Sequence, residues 1–208
     1  QLASFPSAVV FVHPALPATS VKEFIALAKS RPGQLNFSSP GAGTGGHLTG
    51  EFFQGMTGVK LTHVPYKGSA PAIVDLLAGR DVTTSFASMA SVVPHIKGGR
   101  LRALALTSVN RITALPDVMT TAEAGLPELV VYSWNGVFAP IGTSRTIVTR
   151  LNSEIAAFLR APDVVERLIG LGLDPTGGTP EMFAASVKAD LQRWGKIIKD
   201  SGIEKAQM

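Results

Sequence analysis

Short runs of β-branched and aromatic residues recur along the first two-thirds of the chain, and each is followed by a segment with helical spacing of its apolar positions. The runs predict strands, at residues 7–12, 35–38, 59–64, 82–86 and 101–107. The intervening segments predict helices, at residues 21–29, 47–54, 69–78 and 87–97. Such alternation is typical of βαβ units, so we expect a mostly parallel sheet.

The pattern changes near residues 132–140. Residues 130–138 form one extended run, and residues 146–159 and 180–199 then carry apolar positions at helical spacing. A shorter helix at residues 163–169 and a strand near Leu173 are predicted between them. The shift predicts a complete α/β lobe over residues 8–131. Crossover segments and the remaining part of another lobe are assigned to residues 1–7 and 132–208.

Two capping boxes give sharper signals for helix starts. In each, a hydroxyl residue stands three positions before a glutamate, at Ser20 with Glu23 and at Thr120 with Glu123. The first predicts the helix that begins at Val21. The second predicts a brief helix that ends at Gly125.

The most informative stretch is residues 35–47, which predicts a buried strand, a glycine-rich turn and the start of a helix. A turn of this kind presents backbone N–H groups at the positive end of a helix, where an anion is favoured. The hydroxyls of Ser38, Ser39 and Thr44 stand beside these amides. His47 opens the helix after the turn, and we expect its side chain to pack against the turn and hold it.

The glycines Gly41, Gly43 and Gly46 match the spacing of the dinucleotide-binding fingerprint. Two features count against a nucleotide. The Ser-Ser-Pro sequence before Gly41 lengthens the loop, and the following strand ends at Pro65 without an acidic residue for a ribose. A small carboxylate held by amides and hydroxyls is therefore favoured, while a plain structural turn stays open as the alternative.

Two further loops follow predicted parallel strands and are poor in acidic residues. They are residues 66–69, with Tyr66 and Lys67, and residues 85–88, with Ser85 and Ser88. Loops at the carboxyl ends of parallel strands surround the ligand crevice of an open sheet, so we expect both to converge on the glycine turn. We also expect Trp134 to line a cleft beside this lobe.

Composition narrows the function classes. The 208 residues carry a net charge of +4 without a run of Lys or Arg, which argues against nucleic-acid binding. There is no cysteine, which excludes disulfides and thiolate metal sites. The four histidines lack metal-ligand spacing, so no metal or other cofactor is predicted. No apolar run is long enough to span a bilayer, and no signal peptide is recognised within the chain.

Catalytic motifs are missing as well. The chain has no Gly-x-Ser-x-Gly elbow, no His-Glu-x-x-His sequence and no paired carboxylates. His47 and Glu51 are four residues apart on a predicted helix, a spacing that orients an imidazole without making a catalytic set. His63, on an alternating strand, is interpreted as a structural histidine. We therefore predict a binding protein and not an enzyme.

Several motifs in one order resemble the Bug, or TctC-like, extracytoplasmic solute receptors, the substrate-binding components of tripartite tricarboxylate transporters. The motifs are Ser-Pro-Gly-Ala-Gly-Thr at residues 39–44, His-Val-Pro-Tyr-Lys-Gly at 63–68, Pro-His-Ile at 94–96, Glu-Ala-Gly-Leu-Pro at 123–127 and Trp-Asn-Gly-Val-Phe-Ala-Pro at 134–140. The likeness covers essentially the whole chain.

The resemblance implies a type II periplasmic-binding-protein fold, in which two α/β lobes close on a ligand. It implies a periplasmic location, membrane permease subunits as partners, and a dicarboxylate, tricarboxylate, acidic amino acid or aromatic acid as ligand. The loop at residues 38–44 matches the second lobe's contribution to the site. Residues 85–88 match the region that reads the distal part of the ligand, with Ala87 where many relatives carry a polar residue.

Relatives begin with a first-lobe segment that has no match here. The expected fold is therefore α/β, with one complete lobe, the family's second, and a partial, helix-rich first lobe whose exposed apolar face favours self-association. The alternatives are a nucleotide-binding enzyme that uses residues 41–46, or a truncated module that works through protein partners. The predicted ligand-binding residues are Ser38, Ser39, Gly41, Gly43, Thr44, His47, Tyr66, Lys67, Ser85, Ala87, Ser88 and Trp134.

Overall fold

The computed structural model describes residues 3–6 and 9–201, with side chains described for residues 10–199. Residues 7 and 8 of the first predicted strand, and residues 202–208 of the predicted partial lobe, lie outside the described residues. The elements in chain order are β1 (Ala3–Pro6), β2 (Val9–Val12), α1 (Val21–Ser30), β3 (Asn36–Ser39), α2 (Gly45–Thr57), β4 (Thr62–Pro65), α3 (Ser69–Ala78), β5 (Thr84–Ala87), α4 (Met89–Lys97), β6 (Arg102–Leu106), β7 (Tyr132–Asn135), α5 (Arg145–Phe158), α6 (Pro162–Gly170), β8 (Asp174–Pro175) and α7 (Pro180–Ser201).

Five strands form the larger sheet, in the order β4-β3-β5-β2-β6. Strand β3 runs parallel to β4 and β5, whereas β2 runs antiparallel to both β5 and β6. The prediction of a mostly parallel sheet is therefore wrong for β2, and the sheet is mixed. A continuous apolar run shows that a strand is buried but not which way it runs, so the sequence pattern held no sign of this reversal.

The larger sheet is covered on both faces. Along β2, Val10 and Val12 point into a core shared with α1 and α2, while Phe11 between them points into a core shared with α3 and α4. This alternation follows from the two-residue period of a strand. Phe24, Phe37, Phe53 and Phe86 are fully buried in the first of these cores. The result is a helix–sheet–helix sandwich.

A second, three-stranded sheet has the order β7-β1-β8, and its pairs are antiparallel. It joins the described beginning of the chain to segments more than 125 residues later, since Ala3 pairs with Asn135 and with Pro175. Helices α5, α6 and α7 follow these strands. In the described part of the chain, no helix is long and apolar enough to cross a membrane.

The two capping boxes have different outcomes. At the first, Ser20 Oγ accepts the Glu23 amide at 3.2 Å, Glu23 accepts the Thr19 amide at 2.6 Å, and α1 follows as predicted. At the second, Thr120 and Glu123 form the reciprocal bonds at 2.7 and 3.2 Å, yet residues 121–125 form turns and not a helix. Gly125 and the nearby Pro127 end the segment before a helical turn can propagate.

The apolar stripe predicted for residues 146–159 is present on α5, but it is open. Neither α5 nor α6 has a fully buried residue. Ile147, Leu151 and Phe158 are each about half exposed or more, and Phe138 beside them is 68% exposed. We call Val137, Phe138, Ile147, Leu151 and Phe158 the open apolar face. Cavities of about 400 and 550 Å³ lie along it, against α7 and α6.

Candidate functional site

Three loops meet at one edge of the larger sheet. Because β3, β4 and β5 run parallel, their carboxyl ends lie together, and the loops at residues 40–44, 66–68 and 88 lead from them into α2, α3 and α4. The Gly68 amide donates to Pro40 O at 2.8 Å, and the Tyr66 amide donates to Ser39 O at 3.0 Å. The predicted convergence of the loops is confirmed.

Each of these three helices begins without a side-chain cap. The N-cap residues Thr44, Gly68 and Ser88 make no capping hydrogen bond through a side chain. By contrast, Ser20 caps α1 and Ser144 caps α5 through their side chains. The first-turn amides of a helix have no partner within the helix, and they carry its positive end. This edge of the sheet therefore offers three sets of amides for an anion.

The glycine loop has a defined shape. Gly41 and Gly43 have φ angles of 152° and 75°, and the Thr44 hydroxyl donates to Gly41 O at 2.7 Å. The Gly43 amide donates to Nδ1 of His47 at 3.0 Å. The expected contact between His47 and the loop is therefore present. Helix α2 begins earlier than predicted, at Gly45, so two of the glycines belong to its first turn.

The predicted serines lie beneath the loops and not in the opening. Ser38, Ser39 and Ser85 are at most 1% exposed. Ser39 Oγ bonds to the amide and carbonyl of Gly41, and Ser85 Oγ donates to Ser38 O at 2.9 Å. Ser38 Oγ is buried without a hydrogen-bond partner among the described residues. Ser39 therefore braces the loop from below and Ser85 ties β5 to β3, a placement that their position in the sequence does not reveal.

The second and third loops differ in what they expose. Lys67 is exposed, and Ser88 is partly exposed at the start of α4. The Tyr66 hydroxyl donates to the carboxylate of Asp75, and burial raises the pKa of Tyr66 to about 12, assisted by Asp75. Ala87 is buried on β5. Lys67 and Ser88 are therefore accessible from solvent, whereas Ala87 is not.

The sequence interpretation missed a pair of stacked histidines under the glycine loop. The imidazoles of His47 and His63 lie 3.9 Å apart between centroids, with their planes 11° apart. His63 also stacks on Phe37 at 4.8 Å, and its Nε2 lies 2.6 Å from Ser39 Oγ. The parallel register that pairs Phe37 with His63 brings these groups together. The sequence pattern does not reveal this register, so it gave no signal that the two histidines would meet.

The environment of this pair disfavours its charged forms. Burial lowers the pKa of His47, and it lowers the pKa of His63 to about 4, where the charge of a protonated His47 contributes further. Glu51 Oε1 is 3.7 Å from His47 Nε2, and burial raises the pKa of Glu51. Near neutral pH both imidazoles are therefore uncharged, and His47 accepts a hydrogen bond through Nδ1.

Trp134 lies on β7, an edge strand of the smaller sheet. Its Nε1 donates to Asp190 Oδ2 of α7 at 2.6 Å, and its ring meets Phe183 edge-on at 4.9 Å. It lines an open groove of about 510 Å³ that reaches Gly45 at the start of α2. The expected cleft beside Trp134 is thus present. Among the described residues, no group of three His, Asp or Glu side chains is arranged to hold a metal ion.

Solved structures define the class of protein. The periplasmic binding protein BugD superposes with a TM-score of 0.90 at 31% identity, covering 99% of this chain and 69% of that one. Rpa4515 of R. palustris, solved with adipate, gives 0.91 at 39% identity over 97% and 68%. MatC of Rhodopseudomonas palustris, solved with malate, gives 0.87 at 28% identity over 94% and 67%. The fold is that of a periplasmic binding protein.

The family follows from the sequence itself. The family model described as the tripartite tricarboxylate transporter family receptor, TctC, matches residues 1–203, and the chain belongs to this family. A relative encoded between tcbD and tcbE in Pseudomonas sp. strain P51 is 44% identical over 201 residues, which is 94% of this chain. The chain spans 58% of that relative's length.

Proposed function

We propose that the chain is the ligand-binding part of an extracytoplasmic solute receptor, which captures a small organic carboxylate for a tripartite tricarboxylate-type transporter without transforming it. The observation that carries the proposal is the meeting of three uncapped helix starts at one sheet edge. Backbone amides at a helix start suit an oxyanion. Two structural neighbours were solved with adipate and with malate, both dicarboxylates.

The proposal extends to the division of the chain and to its partners. Residues 8–131 form the complete ligand-binding lobe, while residues 1–7 and 132–208 supply the crossover segments and part of the first lobe. Membership of the two sheets supports this division. The partners are a dicarboxylate, tricarboxylate, acidic amino acid or aromatic acid, and the permease subunits of the transporter. The setting is the periplasm.

Chemical-shift perturbation on the ¹⁵N-labelled chain tests the carboxylate. Adipate and malate should shift the amides of residues 41–46, 67–69 and 88–90 saturably, because these residues form the loops and first helical turns at this edge of the sheet. Lys67→Glu should weaken the binding about tenfold or more, since it places a like charge beside the anion. Lys97→Glu makes the same change at an exposed position at the far end of α4 and should leave binding unchanged.

Two outcomes would overturn the carboxylate proposal. One is silence across dicarboxylates, tricarboxylates, acidic amino acids and aromatic acids. The other is a set of shifts with NADH or ATP, and not with carboxylates, at residues 41–46. The second outcome would favour the nucleotide-binding enzyme.

The open apolar face supports a second proposal, that two copies of this chain associate through it. The face is broad and half exposed, and contiguous apolar surface of this kind is typical of protein contacts. Sedimentation velocity across a wide concentration range should show a dimer that dissociates on dilution. Leu151→Glu with Phe158→Glu should abolish it. Val74→Glu, on an isolated exposed valine of α3, is the matched control. A monomer at every concentration would contradict the proposal.

A further inference from the structure

The hydrogen bond between His47 and the glycine loop fixes the tautomer of the imidazole. Nδ1 accepts the Gly43 amide at 3.0 Å, so in the neutral ring the proton is on Nε2. A second proton can enter only at Nδ1. It would place an N–H against the N–H of Gly43, and the hydrogen bond would be lost. The position of this loop amide is therefore tied to the charge of His47.

His63 packs against the face of the His47 imidazole and holds that ring in place. The two rings are stacked at 3.9 Å, and His63 is itself fixed between Phe37 and Ser39. Ser39 Oγ in turn bonds to both backbone groups of Gly41. The stack thus contacts the loop at two points, through Gly43 and through Ser39.

The groups that face the pair give it little support for positive charge. On the α2 side, Glu51 is the one carboxylate that the described residues bring within 4 Å of either ring, and at 3.7 Å it is beyond hydrogen-bond length. From β3, the Phe37 ring and the Ser39 hydroxyl contact His63, which lies on β4 and is the pair's own member there. A proton on one ring disfavours a proton on the other, since the two rings are in contact.

We propose that His47, backed by His63, is a proton-operated latch on residues 39–44. With both rings neutral, the latch holds the Gly43 amide and the loop in the geometry described here. A proton at His47 Nδ1 releases Gly43, and the loop loses affinity for its anion. The effect on the anion rests on the proposed carboxylate function, whereas the effect on the loop does not. His47 and His63 are positioning residues in this scheme.

The direction of the pH effect follows from the buried setting of the pair. Burial lowers the pKa of both histidines, so the latch is closed near neutral pH and opens as the pH falls below the ordinary histidine value of about 6.5. Because a protonated His47 further lowers the pKa of His63, the second proton binds at lower pH than the first.

Nuclear magnetic resonance tests the latch on the wild-type chain without any ligand. The His47 ring nitrogens should report Nε2–H at neutral pH. On acidification the Gly43 amide resonance should move upfield with the same midpoint as His47 Nδ1, and its protection factor, which corrects hydrogen exchange for the intrinsic slowing at low pH, should fall about tenfold or more. His47→Asn keeps an acceptor for Gly43 but cannot titrate, so its Gly43 amide should stay unchanged. A Gly43 amide that is indifferent to the titration of His47 would overturn the proposal.

Adipate binding adds the functional arm, measured at about pH 7.5 and about pH 5, on either side of the ordinary histidine pKa of about 6.5. The wild type should lose about tenfold more affinity than His47→Asn, because titration of the adipate carboxyls affects both proteins equally. His13→Asn is the control, since His13 Nδ1 also accepts a backbone amide, that of Ala15, but follows β2 at the opposite sheet edge. It should behave as the wild type.

Two results of the binding arm have distinct meanings. Tighter binding by the wild type at low pH would show that a charged His47 attracts the anion, and would overturn the latch. No adipate binding at either pH would count against adipate as a ligand under the proposed function, and the resonance titration of Gly43 would still decide the latch.

Discussion

Gly46→Ala should lower the free energy of unfolding by about 3 kcal/mol and displace α2 from the sheet. A Cβ at this position would lie 2.3 Å from the carbonyl oxygen of Phe86 on β5 and 3.2 Å from Pro40 Cδ. Backbone cannot swing aside as a long side chain does, so the helix itself must move. Because α2 starts at this edge of the sheet, the glycine loop should move with it. Urea unfolding and carboxylate titration measure the two effects.

The same helix provides a control of opposite sign. At Gly55 a Cβ would meet nothing within 4 Å, and alanine is favoured over glycine in a helix by up to about 1 kcal/mol. Gly55→Ala should therefore stabilise the chain slightly, although it makes the same chemical change in the same helix. Equal effects of the two substitutions would show that α2 does not depend on close contact with β5.

The glycines of residues 41–46 also show how far the sequence could be interpreted. The run at residues 41–46 predicted an amide-rich turn before a helix, and that turn is present. Its glycines have separate roles that the run does not disclose. Gly41 and Gly43 adopt positive φ angles in the loop, whereas Gly46 is helical and is small because a strand passes close by. A string of glycines predicts conformational freedom in general. Tertiary contacts decide whether each glycine is needed for a positive φ angle or for close approach of another backbone.

The histidine pair shows a different limit. His47 and His63 are sixteen residues apart, on a helix and on a strand, and neither position carries a pairing signal. Their contact depends on the register of β3 against β4, which places His63 opposite Phe37. The sheet prediction was wrong for the same reason, since strand order and direction place β2 antiparallel between β5 and β6. Local periodicity predicted the elements well because each buries one face, but it carries no information on pairing partners.

Phe37→Ala should be the most destabilising change beneath the site, with a loss of about 3–5 kcal/mol in the free energy of unfolding. Phe37 is fully buried, meets Phe86 edge-on at 5.7 Å and fills the space against Gly50, where a Cβ would lie 2.4 Å from the ring. Phe37→Leu keeps most of the volume and should lose a third or less of that amount. Urea unfolding near pH 7.5 gives both values.

The pH dependence of the same variant separates packing from histidine burial. In the wild type the pKa of His63 is about 4 when folded, below the ordinary value of about 6.5, so the unfolded chain binds more protons between these values. Stability is therefore full above about pH 6.5 and falls as the pH drops toward 4, by at most about 3 kcal/mol, since His63 is partly exposed.

Removal of the Phe37 ring should admit water to His63 and raise its pKa toward 6.5. The variant then loses less stability on acidification, and its deficit relative to the wild type should shrink between pH 7.5 and about pH 4.5. A ¹⁵N titration of the His63 ring measures the pKa directly. A deficit independent of pH, with an unchanged His63 titration, would show that Phe37 packs against the imidazole without controlling its hydration.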